Sequence, residues 1–505
     1  MIIFNNGKYK SILAAEKGEL AEIAETVQKD NDFRPHFHIA PPTGLMNDPN
    51  GLIFDGEKYH LFYQWFPFDA IHGMKHWKHL ITKDFQHYQS ADDLIPCELF
   101  ESHGCYSGGA LKVGDKLAMF YTGNTRRPSD NQRVPYQNLA IFDLNGKLLS
   151  KRPLIENAPE GYTEHVRDPK PYLTEDGKIR FICGAQRENL TGTAIIFEMD
   201  NLEDTPRLLG ELSLPAFDNK NVFMWECPDL LKLGDKDVFI WSPQGKEREA
   251  HQFQNNYHAT YAVGKLADLT FEAEYIGELD QGFDFYAPQC ASQNVYSDCS
   301  IMSAWFGVPD YTYPPTDEEG WSGLQTFVRE LTIRKGKLYQ TPVRGFESLK
   351  KDELFCAKNG EIISDNLHGQ MPNSAIIRIE NPDTESLDLN LFSRNYVIAR
   401  GFAISYEKYT KRLRIDRSDL INQLNVEYGT DRQIILENGL TSMDIFVDHS
   451  TVEIFVNEGE YVLSARIFPT KEEHMIRMGG KNLNLSIWST EPSVDDAPIF
   501  FAENQ

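Results

Sequence analysis

The stretches DPNGLIFDGEKYHLFYQ, YSGGALKVGDKLAMFYTGN, RDPKPYLTEDGKIRFICGA and CPDLLKLGDKDVFIWSPQG, with the looser FYAPQCASQNVYSDCSIMSAWFG, repeat one layout. Each has a polar or proline-bearing start, a short strand, a turn that is charged or, in the last, serine-rich, and an apolar strand. Asp-Gly and Gly-Asp steps between runs of Val, Ile, Phe, Tyr and Trp are the punctuation of β-hairpins. Units of this size cannot bury their own faces, so they must stack on one another through roughly 300 residues. The expected fold is therefore all-β, with a five-bladed β-propeller; a β-sandwich is the competing architecture.

The flanks read differently. Before the repeats, Tyr9 to Asp30 is rich in Ala, Glu and Lys with apolar residues at helical spacing, which predicts a short helical N-terminal segment. After them comes a charged stretch, and from about Ser374 the runs SAIIRIE, NYVIARGFAISY, RQIILENGL and SMDIFVDHSTVEIFV alternate apolar and polar residues as sandwich strands do. The expected division is 1–32 helical segment, 33–343 propeller, 344–373 linker and 374–505 C-terminal β-sandwich. The last module carries no carboxylate constellation and reads as a structural or oligomerising unit, so a homo-oligomer is compatible with it.

Asp48 in MNDPNG, Asp168 in HVRDPKPYL and Glu226 in MWECPDLL all stand at the starts of repeat units. An isolated Asp-Pro is a turn former. Three carboxylates at matching places in a repeat should instead converge on one axis, where gathering like charges is costly unless chemistry uses them. Two carboxylates of opposite protonation state are the equipment for glycosidic bond cleavage. Gln64, Trp77, Tyr106 and Trp305 lie near these motifs and suit sugar faces and hydroxyls.

Composition narrows the partners. A net charge of −25 opposes nucleic acid and anionic membranes, so the expected partner is a small molecule, and an anionic one must be met by local cations. The N-terminal apolar run is too short for a signal peptide and no apolar stretch is long enough to cross a bilayer, which predicts a cytoplasmic protein. Seven scattered cysteines without CxxC spacing read as free thiols. His72, His76 and His79 raise the thought of a metal, but strand alternation separates His76 from His79 and no ligand spacing repeats; no metal and no cofactor are expected.

MNDPNG, YHLFYQ, YSGG, FYTGN, VRDPK, WECPDL, FYAPQ and VRELTI, in this order, resemble glycoside hydrolase family 32, the β-fructofuranosidases. The resemblance covers most of the chain and implies a five-bladed propeller followed by a β-sandwich. It implies that Asp48 is the nucleophile of a retaining mechanism, Glu226 the acid and base, and Asp168, beside Arg167, a stabiliser of the oxocarbenium-like transition state. Asn47, Gln64 and Ser107 match positions that bind the fructosyl unit, with Trp77, Tyr106, Arg167, Tyr286 and Trp305 as further substrate-binding candidates. The sequence departs from the family where Leu45 and His72-Gly73 stand in place of a common Trp and a Trp-Gly pair, so His72 is expected to rebuild an aromatic wall.

The implied substrate is sucrose 6-phosphate or sucrose, with a fructan or fructo-oligosaccharide as the alternative and a non-catalytic sugar-binding propeller as the reading from another class. A phosphorylated substrate calls for cations near the pocket. The candidates are Lys75 and Lys78 with His72 and His76, and Arg126, Arg127 and Arg133.

Overall fold

A computed structural model describes residues 1–29, 32–293, 298–360, 370–381, 383–394 and 400–492. Parts of the expected linker (361–369) and sandwich (395–399 and 493–505), and the serine-rich turn at 294–297, lie outside the described residues.

Each repeat unit opens a four-stranded antiparallel sheet whose strands follow in chain order. Sheet I holds Gly44–Phe54, Tyr59–Phe66, His76–Thr82 and Tyr88–Ser90; sheet II holds Cys105–Val113, Lys116–Arg126, Arg133–Asp143 and Leu148–Ile155. Sheet III runs Tyr162–Leu173, Ile179–Arg187, Gly192–Met199 and Arg207–Glu211; sheet IV runs Met224–Leu233, Lys236–Gln244, Thr260–Ala267 and Thr270–Glu278. Sheet V holds Tyr286–Cys290, Ser300–Trp305, Arg329–Arg334 and Lys337–Pro342. The turn glycines that the hairpin reading rests on, Gly56, Gly114, Gly177 and Gly234, all have positive φ, between 61° and 112°, a region other residues enter at a cost.

Every pair of neighbouring sheets encloses an apolar core. Phe62, Trp77 and Met119 lie between sheets I and II, Phe120 and Phe181 between II and III, Ile196 and Trp241 between III and IV, and Ile240 and Met302 between IV and V. A fifth core, with Met46, Trp65, Ile301 and Phe327, joins sheet V back to sheet I. The first strand of each sheet lies against the first strand of the next, and that of sheet V returns to sheet I. Trp321–Ser322 adds in parallel to Gly44–Leu45 on sheet I, so the chain of sheet V closes onto the start of the series.

Two further sheets follow. A six-stranded sheet has the order Lys350–Gly360, Leu483–Thr490, Ser374–Glu380, Ser442–Asp448, Thr451–Val456, Tyr461–Arg466. A five-stranded sheet has the order Asp431–Ile435, Arg412–Asp416, Phe402–Glu407, Ser386–Ser393, Met475–Lys481. They share one core, with Ile377, Leu389, Ile404, Leu413, Ile445 and Ile454 fully buried. Two expectations are corrected here. Lys350–Gly360, inside the expected linker, is an edge strand paired with Leu483–Thr490. The N-terminal helix is only Glu19–Lys29, because Gly18 with φ of 86° precedes it, and a two-stranded hairpin at Asn5–Lys10 and a 3-10 turn at Ile12–Ala14 take up the rest. Among the described residues no helix is long and apolar enough to cross a membrane.

Buried charge ties the six-stranded sheet to sheet V. Both ring nitrogens of His38 face carboxylates, Nδ1 at 2.8 Å from Asp448 and Nε2 at 3.0 Å from Glu453, and Arg329 bridges Glu453 (2.6 Å) and Asp280 (3.0 Å). Burial alone would lower the His38 pKa, but hydrogen bonds and attraction from Asp448 and Glu453 raise it to about 9. Asp448 is correspondingly held below the usual carboxylate range: burial opposes ionisation, but the bonds from His38 and His449 override it. His38 therefore contributes its full stabilisation below its unfolded pKa of about 6.5 and loses it as pH rises through about 9, whereas the Asp448 contribution is lost as pH falls below about 4. Thermal unfolding followed from pH 6 to pH 10 should show a melting temperature that drops across this upper window. His38→Gln should be less stable at pH 6, by about 3–5 kcal/mol, and its melting temperature should drop less across the window. Parallel curves for the two proteins would remove His38 as the cause.

Candidate active site

The pairing between the first and second strands slips in all five sheets. The slips fall between Met46 and Pro49, Cys105 and Gly108, Arg167 and Lys170, Glu226 and Asp229, and Tyr286 and Gln289. These β-bulges re-aim the residues they carry. Aligned on their proline, or glycine in sheet II, the sequences give five tripeptides: Asn47-Asp48-Pro49, Tyr106-Ser107-Gly108, Arg167-Asp168-Pro169, Glu226-Cys227-Pro228 and Tyr286-Ala287-Pro288, with the slip beginning one residue earlier in sheets I and II than in the other three. Proline, lacking an N–H, costs little where the ladder is already broken. Asp168, Cys227 and Ala287, the middle residues of the last three, sit at φ of 63°, 46° and 48°.

This alignment corrects the expected equivalence of the three carboxylates. Asp48 and Asp168 share the middle position with Ser107, Cys227 and Ala287, whereas Glu226 shares the first position with Asn47, Tyr106, Arg167 and Tyr286. The carboxylates still meet, from two tiers. The Cys227 thiol links the two aspartates, its Sγ 3.7 Å from Asp168 Oδ2 and 4.0 Å from Asp48 Oδ2, while the Cys227 N–H donates to Asp168 Oδ2 (3.0 Å), and the charge of Glu226 acts on both.

Each carboxylate is held by its own donors. Ser107 O–H donates to Asp48 Oδ2 (2.5 Å) and accepts from Gln64 Nε2 (2.6 Å); Asn47 Nδ2 donates to Gln64 Oε1 (2.7 Å) and to Asp48 Oδ1 (3.2 Å). Arg167 donates through Nε (2.9 Å) and Nη2 (2.6 Å) to Glu226 Oε1, and the Tyr286 hydroxyl donates to Oε2 (2.6 Å). A buried polar layer lies beneath them: Lys170 pairs with Asp229 (3.0 Å), Gly108 N–H donates to Asn50 (2.9 Å), and Gln289 donates to the Gly108 carbonyl (2.7 Å). Such a floor fixes the reacting groups before any ligand arrives.

Burial and mutual repulsion set the protonation of the site. Burial, opposed by Arg167 and reinforced by Glu226 and Asp48, raises Asp168 to about 7. Asp48 is raised as well, by burial and then by Glu226, with the Ser107 and Asn47 bonds working against the rise. The cluster therefore keeps a proton near neutrality that free aspartates would have shed. Burial and the neighbouring carboxylates push the Cys227 thiol well up, so it stays a thiol and is no nucleophile at neutral pH.

The structure sorts the other candidates. Trp77 is corrected: it is fully buried in the core between sheets I and II, its Nε1 donating to the Tyr106 carbonyl (3.1 Å), so it positions Tyr106 rather than walling a sugar. Trp305 stands edge-on to His72, with ring centroids 6.1 Å apart, where an aromatic wall was expected to be rebuilt. Gly323, at φ of 80°, allows the chain to pass over Met46 and the Trp305 ring, since a Cβ there would fall 1.9 Å from the Met46 carbonyl oxygen. The enclosed polar atoms Asn47 Oδ1, Lys75 Nζ and Trp305 Nε1 have no hydrogen-bond partner among the described residues.

His76 is engaged elsewhere, accepting from the Ile12 N–H (3.0 Å), and His79 lies 2.9 Å from the His60 ring, so the two histidines serve separate networks. Sequence reasoning missed two residues. Gln325 fixes Asn47 by donating to its carbonyl (2.8 Å), and only three-dimensional closure of sheet V onto sheet I brings it there. Cys227 was legible in principle, since aligning the repeats on their prolines rather than on their carboxylates puts it beside Asp48 and Asp168.

An enclosed trio of carboxylates, each held by hydroxyl, amide or guanidinium donors and arranged without a nucleophilic serine or thiolate, defines a carboxylate-based glycoside hydrolase. The chain belongs to glycosyl hydrolase family 32: residues 38–342 match the family's N-terminal domain and 349–489 its C-terminal domain. It is 38% identical over 485 residues to a sucrose-6-phosphate hydrolase of Bacillus subtilis, covering 93% of this chain and 97% of that one. Among solved structures it is similar to a sucrose-6-phosphate hydrolase from Lactobacillus gasseri, with a TM-score of 0.87 and 31% identity over 96% of this chain and 98% of that one. It is also similar to a mutant β-fructofuranosidase of Bombyx mori in complex with sucrose, with a TM-score of 0.78 and 29% identity over 95% and 99% of the two chains.

Proposed function

We propose that this protein hydrolyses the β-fructofuranosyl bond of sucrose 6-phosphate, and less readily of sucrose, with retention at the anomeric carbon. The observation that carries the reading is the enclosure of Asp48, fixed by Ser107 and Asn47, near enough to Glu226, fixed by Arg167 and Tyr286, for the two carboxylates to repel each other. In the first step the Asp48 carboxylate bonds to the anomeric carbon as Glu226 gives a proton to the departing glycosidic oxygen. In the second, Glu226 takes a proton from water, whose oxygen attacks the same carbon and releases Asp48. Asp168 carries the developing positive charge and orients fructosyl hydroxyls together with Asn47 and Gln64. Lys75 Nζ and Trp305 Nε1 are further donors for the sugar.

The scaffold reading that goes with it is a closed five-bladed propeller ending near residue 343, followed by a β-sandwich. The run of cores between successive sheets and the return of sheet V to sheet I support it. The setting is the cytoplasm, where uptake that phosphorylates sucrose would deliver the phosphosugar. Relatives of similar length that are named for sucrose 6-phosphate support the choice of substrate. Steady-state kinetics on sucrose 6-phosphate, sucrose and inulin test it. The lowest Michaelis constant is expected for sucrose 6-phosphate, with the gap to sucrose shrinking as salt is raised. Equal constants for the two disaccharides, or a higher kcat/KM on inulin, would refute the substrate.

A further inference from the structure

The seven basic residues that stood as phosphate candidates part company in the structure. Lys78 is buried against Asp93 (3.2 Å), Arg127 is exposed and paired with Asp130 (3.1 Å), and His76 is held by Ile12. His72, though exposed, is kept neutral chiefly by the charge of Lys75, and Lys75 itself lies beside Asp48, on the side of the group that is attacked. Arg126 and Arg133 remain.

We propose that Arg133, backed by Arg126, grips the phosphate of the leaving hexose 6-phosphate; this rests on the phosphosugar reading above and assigns its specificity to named residues. Arg126 and Arg133 are Cα partners on neighbouring antiparallel strands of sheet II, so both side chains project from one face. Like charges placed directly opposite are destabilising, and a chain with a net charge of −25 has no shortage of carboxylates to relieve them. Yet among the described residues no carboxylate pairs with either arginine, and Arg126 reaches only the Asn131 carbonyl at 3.5 Å.

The surroundings of Arg133 are mainly cationic. Burial and then Arg167 disfavour its charge, Arg126 adds to this, and Tyr106 and the exposed Glu164 act the other way. His165 alongside is held neutral, down to about 4, by burial and then by Arg167 and Arg133. An oxyanion is the ligand that turns this repulsion into attraction, and paired guanidinium groups match phosphate oxygens.

Position selects the phosphate of the leaving group. Arg133 adjoins Arg167, and Arg167 binds Glu226, the residue that serves the departing oxygen. The hexose released by protonation at Glu226 therefore leaves along the Tyr106, Arg133 and Arg126 side of the pocket. The site thus recognises a phosphorylated sugar by local charge in spite of the long-range repulsion of the chain.

Kinetics of the wild type, Arg133→Gln, Arg133→Lys and Arg126→Gln on sucrose 6-phosphate and sucrose at low salt test this, with glucose 6-phosphate as a competing inhibitor. The ratio of kcat/KM for sucrose 6-phosphate over sucrose should fall about tenfold or more in Arg133→Gln, mostly through KM, and less in Arg133→Lys and Arg126→Gln. Inhibition by glucose 6-phosphate should weaken in step. If the wild type treats both sugars alike, the phosphosugar reading falls and the grip falls with it. If the wild type prefers the phosphosugar and Arg133→Gln keeps that preference, or loses activity on both sugars by the same factor, only the grip is overturned.

Discussion

Asp48→Asn should cut turnover of either disaccharide by about 10⁴-fold or more, while the protein melts at the same temperature as the wild type or higher. The two halves of this expectation come from the same geometry. Asparagine has the shape of aspartate and fits the bulge of Asn47-Asp48-Pro49, and its amide oxygen can still accept the Ser107 hydroxyl, so the fold loses little. Its neutral oxygen cannot form the bond to the anomeric carbon. Meanwhile the wild-type site gathers three carboxylates that burial and mutual repulsion oppose, as the raised pKa values of Asp48 and Asp168 record. Removing one charge relieves part of that strain, in the usual opposition of stability to activity. Rate assays beside thermal unfolding check both halves, and a folded Asp48→Asn enzyme with wild-type turnover would contradict the role.

Glu226→Gln should lower cleavage of sucrose by about 10²–10⁴-fold, yet leave the cleavage of a fructoside with an acidic phenol as leaving group far less affected. A sugar alkoxide is a poor leaving group and needs the proton; a phenolate does not. Glutamine retains the space, its amide oxygen can accept from Arg167 and its amide N–H can donate to the Tyr286 hydroxyl, so a general collapse of the site is not the cause of any loss. Equal losses on the two substrates would make Glu226 a structural partner of Arg167.

The hairpins were readable because Asp-Gly and Gly-Asp turns demand positive φ, and the chain supplies glycine at each. The three carboxylates were readable as a set, but not their tiers. Matching by acidity sets Glu226 level with Asp48, whereas alignment on the prolines puts Glu226 level with Asn47 and Arg167, one residue ahead of Asp48 and Asp168. Lys350–Gly360 reads as a linker because an edge strand with an exposed face has too little apolar alternation to announce itself. Trp77 shows the converse limit: strand alternation places a side chain on a face, but whether that face meets a sugar or the next sheet is decided by packing far away in sequence. The pairing of Gln325 with Asn47, and the meeting of Arg133 with Arg167, belong to that same class of information.

The central claim is that Asp48 attacks and Glu226 transfers the proton. It is tested most directly by mass spectrometry of Glu226→Gln incubated with the phenolic fructoside, quenched with acid and digested. Without its acid and base the enzyme should still form the covalent intermediate from this substrate but hydrolyse it slowly. One fructosyl unit should appear on the peptide that bears Asp48, and none in the double variant Asp48→Asn with Glu226→Gln. A fructosyl unit on the peptide of Asp168, or steady release of the phenol with no adduct and an inverted product, would contradict the account.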